Sequence, residues 1–155
     1  MSYPPMASLV PHAAPMLLLD RLCEATACTA RCEVRVGETL ALFLCEDGAL
    51  PGWVGIELMA QTVAAWSGYQ GFLRQEGPQI GLLLGARNYQ CHLARLPAGS
   101  LLTIDCEQLL QDGALASFQC YLRCEGELAA EARLSTIQPD AEQLKTLLGV
   151  DKHES

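Results

Sequence analysis

Positive charge is scarce in this sequence, and its scarcity excludes one broad class of function. Lys and Arg together number 10 against 18 Asp and Glu, which gives a formal net charge of −8. Proteins that bind nucleic acid depend on a positive field along the phosphate backbone, so this class is excluded. Charged residues make up only 18% of the 155 residues and hydrophobic ones 50%, which also excludes a disordered, solvating chain.

The sequence also lacks a membrane span and an export signal. Residues 58–73 carry no charge, but they include Gln, Thr, Ser and Gly and fall short of the roughly 20 apolar residues that a span requires. The first twelve residues have neither a basic region nor an apolar core of the secretory type. These absences predict a cytoplasmic protein with no membrane association and with reduced thiols.

A C-x-x-C motif is absent, although the chain has eight cysteines. The nearest approach is the spacing C-x-x-x-C, at Cys28 and Cys32 and again at Cys120 and Cys124. Positions i and i+4 of a strand share one face, so these pairs also suit small buried apolar residues. We therefore expect no metal site and no cofactor, and interpret the cysteines as core residues.

The order of elements predicts an α+β fold. Residues 21–36 alternate as one long or bent strand broken near Gly37, and residues 39–45 continue as a short strand. A long helix apolar on nearly every face is predicted from Trp53 to about Leu73. Four strands follow at residues 79–92, 100–110, 114–124 and 127–137, with Asp112-Gly113 and Glu125-Gly126 as hairpin turns.

Such a helix needs cover on most sides, and closely linked strands form an antiparallel meander. The economical packing is a curved antiparallel sheet of about five or six strands wrapped around one long central helix, which is the hotdog fold. We expect a single domain over residues 1–138, with residues 1–15 as a proline-rich extended arm. Residues 139–155 are predicted to be a C-terminal tail that contains a short helix.

Glu57 is the single charged residue between Gly48 and Leu73. A carboxylate in an apolar helix loses hydration, which favours its neutral acid form, and Gln61 lies at i+4 on the same face. Glu57 is therefore a candidate general acid or base. A carboxylate that reaches solvent through a gap in the sheet, or that caps nearby amides, would show the same pattern.

His12 is the candidate partner for this carboxylate. It lies between Pro11 and Pro15, whose restricted backbone would hold the imidazole in a defined place. His92 is expected at a strand end or in a loop, and His153 near the solvated terminus. An ordinary surface histidine is the alternative for His12.

Two motifs resemble those of the 3-hydroxyacyl-(acyl carrier protein) dehydratases. The first is Pro11-His12-Ala13-Ala14-Pro15 followed by an apolar run and Asp20-Arg21, which resembles the opening of that family. The second is Pro51-Gly52, four further residues, and then Glu57-Leu58-Met59-Ala60-Gln61, which resembles its helix start. Within the family, the sequence is most similar to the predicted dehydratases linked to aryl polyene synthesis.

One departure from the family pattern affects the catalytic histidine. The best-known members carry it in a Gly-His-Phe stretch fourteen residues before the Glu, where this sequence has Phe43. The resemblance then implies either that His12 has taken over the role of base or that the chain is a weakly catalytic or non-catalytic member.

The resemblance implies the dehydration of a 3-hydroxyacyl thioester. His12 would act as base, Glu57 as acid and Gln61 as the residue that orients Glu57. Backbone N–H groups at Gly52 and Gly55 would stabilise the enolate. The acyl chain would occupy an apolar tunnel. The candidates to line it are better explained as plain core: Met59, Trp66, Leu82, Leu83 and Leu84.

The implied partners are an acyl carrier protein or a coenzyme A thioester, and a second hotdog subunit in a homodimer or heterodimer. Because an acidic carrier must dock on an acidic chain, a local basic patch of Arg74, Arg87 and Arg95 is expected, unless these are ordinary surface arginines. Two other functions stay open. A hotdog thioesterase would use Glu57 to activate water, and a non-catalytic subunit would support an active partner.

Overall fold

The computed structural model describes residues 3–12, 14–75 and 82–137. Its main element is a curved six-stranded antiparallel sheet with the strand order β1-β2-β6-β7-β8-β4. The strands are β1 (Arg21–Ala25), β2 (Thr29–Arg35), β4 (Leu82–Cys91), β6 (Leu101–Asp112), β7 (Leu115–Cys124) and β8 (Glu127–Ile137). A second sheet pairs β3 (Leu50–Pro51) with β5 (Arg95–Leu96).

The sheet wraps around a single α-helix, α1, which spans Gly55–Leu73 and follows a 3-10 turn at Gly52–Val54. Leu58, Met59 and Ala65 of α1 are fully buried. They pack in one core with alternating residues of β2, β6 and β7, such as Val34, Ile104 and Leu122. The hotdog fold and its six-stranded sheet are therefore confirmed. None of the described helices is long and apolar enough to cross a membrane.

Two predictions about the first third of the chain are wrong. The single strand over residues 21–36 is a hairpin, because the Thr26 hydroxyl accepts hydrogen bonds from the Cys28 and Thr29 amides and turns the chain. The short strand at residues 39–45 is a 3-10 helix over Glu38–Phe43. There Leu40 is fully buried whereas Leu42 is 59% exposed.

The N-terminal segment packs on the helix instead of extending as an arm. It forms a 3-10 turn at Met6–Ser8, and Met6, Leu9 and Val10 are buried. The contact is close because α1 has a glycine, Gly68, where the Leu9 carbonyl group touches it. This contact anchors the segment three residues before His12. The predicted C-terminal tail lies outside the described residues.

All eight cysteines are free, and Cys32, Cys106, Cys120 and Cys124 are buried. Burial raises the pKa of the Cys106 thiol to about 12, so this thiol stays protonated and unreactive near neutral pH. The described residues contain no cluster of three or more His, Cys, Asp or Glu that could hold a metal ion. The interpretation of the cysteines as core residues is confirmed for these four and is wrong for Cys28, which is exposed.

Gly68→Ala is expected to destabilise the protein, although Gly to Ala usually stabilises a helix by up to about 1 kcal/mol. The added Cβ would overlap the Leu9 backbone, and such overpacking costs about 1–3 kcal/mol. Urea unfolding of the full chain measures the change in the free energy of unfolding. Gly85→Ala is the matched control, because a Cβ at Gly85 meets open space. A Gly68→Ala chain more stable than the natural one would contradict the prediction.

Candidate active site

The side chains of His12 and Glu57 lie close together within one chain. The distance between His12 Nε2 and Glu57 Oε1 is 3.8 Å, and the two side chains keep 31% and 42% of their exposure. This distance exceeds hydrogen-bond length, so the two groups face each other without being bonded. A small reacting group can approach both, because both stay accessible to solvent.

Gln61 holds the Glu57 carboxylate from one helical turn further along α1. Gln61 is fully buried, and its Oε1 accepts a hydrogen bond from the Leu18 amide at 2.9 Å. Its Nε2 donates to the Met16 carbonyl at 2.8 Å and to Glu57 Oε1 at 3.2 Å. Because the two backbone bonds fix which end of the amide donates, Glu57 Oε1 is always an acceptor.

The segment that carries His12 is tied to the helix by these same bonds. Met16 and Leu18, which follow His12 in the sequence, bond to Gln61. Leu9, which precedes His12, contacts Gly68. His12 Nδ1 is buried without a hydrogen-bond partner. The described residues thus fix the position of the imidazole, but they supply no acceptor at Nδ1 that would fix its tautomer.

The N–H groups of Gly52 and Gly55 already have acceptors within the chain. Gly52 donates to the Ala94 carbonyl at 2.9 Å, and Gly55 donates to the Gly52 carbonyl. Neighbouring atoms leave no room for a Cβ at either glycine: Leu93 O and Cys91 Sγ crowd Gly52, and Tyr89 Oη crowds Gly55. Close packing therefore explains both glycines, and their role toward an enolate stays a prediction.

Phe43 is the residue at which the resemblance would place a histidine. It ends the 3-10 helix and packs edge-to-face against Trp53, with ring centroids 6.1 Å apart. Trp53 belongs to the 3-10 turn that precedes α1 and is 65% exposed. An apolar aromatic pair thus lies beside the helix start, and it has no group that transfers protons.

The predicted tunnel residues lie in different environments. Met59 is fully buried core, and Trp66 packs on Phe118 while its Nε1 donates to the Thr26 carbonyl at 3.1 Å. Leu83 and Leu84 are 42% and 58% exposed on β4, and the side chain of Leu82 lies outside the described residues.

The three arginines that are predicted to dock the carrier do not lie together. Arg74 follows the end of α1, about 28 Å along the axis from its start. Arg95 lies opposite Pro51 beside that start and forms an ion pair with Asp47 at 2.8 Å. Arg87 is exposed on β4 opposite Arg133. A single patch of all three does not form within one chain.

Sequence reasoning did not identify Tyr89. Its hydroxyl donates to the Gly52 carbonyl at 2.5 Å, and it links β4 to the turn that begins α1. A tyrosine in a strand-like segment has no distinctive spacing, because the contact depends on an irregularity of β4 that period-two alternation does not reveal.

Comparison with known proteins identifies the family of the chain. The family model of the ApeP dehydratases, described as ApeP-like, matches residues 4–149. A chain of the dehydratase heterocomplex ApeI:P from Xenorhabdus doucetiae is 38% identical, with a TM-score of 0.88 over 94% of this chain and 98% of that one. No curated protein matches.

More distant structures share the fold alone. Zebra fish thioesterase superfamily member 2 is 20% identical with a TM-score of 0.64, over 86% of this chain and 91% of that chain. A hypothetical thioesterase from Streptococcus pneumoniae is 15% identical with a TM-score of 0.60, over 76% of this chain and 86% of that chain. The family match over residues 4–149 and the 38% identity are decisive: the chain belongs to the ApeP-like dehydratase family.

Proposed function

We propose that this protein takes part in the dehydration of a 3-hydroxyacyl thioester, linked to an acyl carrier protein, to the 2-enoyl thioester. The observation that carries the proposal is the 3.8 Å approach of His12 to Glu57 in a chain of a dehydratase family. An imidazole and a carboxyl at this separation can act on neighbouring carbons of one substrate.

The proposed reaction uses each group once. His12 removes the proton from C2, and Glu57 donates a proton to the hydroxyl that leaves C3 as water. The two electrons of the C2–H bond form the new double bond. Since the Gln61 amide holds Glu57 Oε1 as an acceptor, the transferable proton belongs on Oε2. The substrate would then approach that oxygen from the exposed side of the carboxyl.

The direct test uses the full chain with 3-hydroxybutyryl-(acyl carrier protein), alone and together with the hotdog subunit that it pairs with. Formation of the crotonyl thioester, measured by mass spectrometry, supports dehydration. Release of the free acid would overturn the proposal in favour of a thioesterase, in which the Glu57 carboxylate activates water.

A second candidate function is that of a subunit that supports an active hotdog partner. Two observations favour it: Phe43 fills the position of the usual histidine, and His12 Nδ1 lacks an acceptor among the described residues. A similar chain, 38% identical, comes from a heterocomplex. Turnover by the mixed complex that survives Glu57→Gln in this chain would establish the supporting role.

The partner surface that we propose is the open edge of β4. This strand ends the sheet, and its described residues bond to β8 on one side and to no strand on the other. Open strand edges attract further strands, and the exposed Leu83 and Leu84 lie along this edge. A homodimer or heterodimer joined here would bring a strand of the partner alongside both leucines.

Carrier docking is expected to depend on Arg95 and Arg87 rather than on Arg74, because Arg95 lies beside the start of α1. Arg95→Glu and Arg87→Glu should raise KM for the carrier-linked substrate about fivefold to tenfold each, as loss of a rim charge pair costs about 1 kcal/mol. The KM for a short pantetheine thioester should not change.

Arg31→Glu serves as the control for these charge reversals, because Arg31 pairs with Asp105 on the outer face of the sheet. An unchanged KM in Arg95→Glu and Arg87→Glu would eliminate the docking proposal. The cytoplasmic location stays a prediction from the sequence.

A further inference from the structure

Tyr89 connects the edge strand β4 to the first residues of α1. Its hydroxyl donates to the Gly52 carbonyl at 2.5 Å and lies against Gly55, where any Cβ would overlap it. Burial raises the pKa of the Tyr89 hydroxyl well above its ordinary value, so near neutral pH the group is an O–H donor. Glu57 follows Gly55 by two residues on the same helical turn.

An irregularity of β4 aims Tyr89 at the helix. The pairing of β4 with β8 shifts register between Arg87 and Gln90, and Asn88 has a φ of 56°. A residue in the left-handed region inside a strand marks a bulge, and bulges redirect side chains beside functional sites. Here the ring of Tyr89 packs on the core while the flanking Asn88 and Gln90 are exposed.

The residues after Tyr89 bind the same turn. The Gly52 amide donates to the Ala94 carbonyl at 2.9 Å, and β5 pairs Arg95 with Pro51. Gly52 is therefore held through both its N–H and its C=O by one segment, residues 89–95. The start of α1 has no side-chain cap, so this segment supplies the restraint that a capping residue normally gives.

From these contacts we infer that Tyr89 is a positioning residue for Glu57: its hydroxyl fixes the turn at Gly52–Gly55 and thereby the depth and direction of the carboxyl that faces His12. The inference rests on the proposed dehydration. Tyr89 does not need to touch the substrate, since a small displacement of a catalytic group is enough to slow a reaction.

Tyr89→Phe removes only the hydroxyl and tests this role in the full chain with its partner subunit. We expect kcat for 3-hydroxybutyryl-(acyl carrier protein) to fall about tenfold, as one buried hydrogen bond allows, with KM changed less than about twofold. Tyr121→Phe is the matched control, because Tyr121 lies on the outer face beneath Arg123 and should leave kcat unchanged.

A double-mutant cycle separates positioning from general stability. In a Glu57→Asp background the carboxyl is already displaced, so adding Tyr89→Phe should lower kcat less than about twofold. An additional tenfold loss there would mean that Tyr89 does not act through Glu57, and would overturn the inference. Unchanged kcat in the single variant would overturn it as well.

A measurement without turnover distinguishes this inference from the proposed function. The ¹³C resonance of the Glu57 carboxyl should move in Tyr89→Phe and stay in place in Tyr121→Phe. A chain that makes no enoyl product but shows this pattern would refute dehydration while supporting the placement of Glu57 by Tyr89. A Glu57 resonance that stays in place in both variants would refute the placement of Glu57 by Tyr89.

Discussion

Glu57→Gln is expected to abolish formation of the enoyl thioester, with a loss of about 10²–10⁴-fold for removal of a general acid. The substitution keeps the size of the side chain, and the amide oxygen of the new side chain can still accept the hydrogen bond from Gln61 Nε2. What disappears is the carboxyl proton that the leaving hydroxyl needs. The rate of crotonyl thioester formation by the complex measures this loss.

The control for Glu57→Gln is Glu107→Gln, because Glu107 is an exposed residue of β6 and does not belong to the helix that carries Glu57. Both variants should unfold at the same urea concentration as the natural chain, since Glu57 is itself 42% exposed. Equal turnover by Glu57→Gln and the natural chain would show that the reacting carboxyl belongs to the partner subunit, which is the supporting role described above.

The sequence predicted the fold well wherever periodicity extends over many residues. The strand β8 was expected at residues 127–137 and lies at Glu127–Ile137, because a meander of long strands with Gly-containing turns has few alternatives. Residues 21–45 were predicted less well. There the turn is closed by the Thr26 hydroxyl and by the Thr26 amide, which donates to the Thr29 carbonyl, and alternation continues across it without an interruption that composition would reveal.

The part of the site that lies on α1 was predictable from helical spacing. Glu57 and Gln61 are on one helical face, so their hydrogen bond follows from spacing alone. His12 and Glu57 lie 45 positions apart in the sequence, and no local pattern shows that they meet. His12 is a candidate because Pro11 and Pro15 restrict the backbone around it and because a general acid needs a partner. The contact of Leu9 with Gly68 and the bulge at Asn88 depend on tertiary packing, which a single sequence does not encode in any local pattern.

His12→Ala is expected to lower turnover about 10²–10⁴-fold as well, because His12 carries the one imidazole that the structure places beside Glu57 among the described residues. Phe43 cannot replace it, since an aromatic hydrocarbon packed on Trp53 takes up no proton. The side chain of His12 is 31% exposed, so free imidazole in solution can enter the space left by the substitution and restore part of the rate.

The control is His92→Ala, because His92 is exposed and is held through its backbone bond to Ala129. It should keep full activity, and imidazole should not change its rate. Full turnover by His12→Ala would remove His12 from the reaction and make the substrate or the partner subunit the source of the base. Rescue by imidazole in His12→Ala alone would instead establish that the proton from C2 leaves through the position that His12 occupies, between the N-terminal segment and the start of α1.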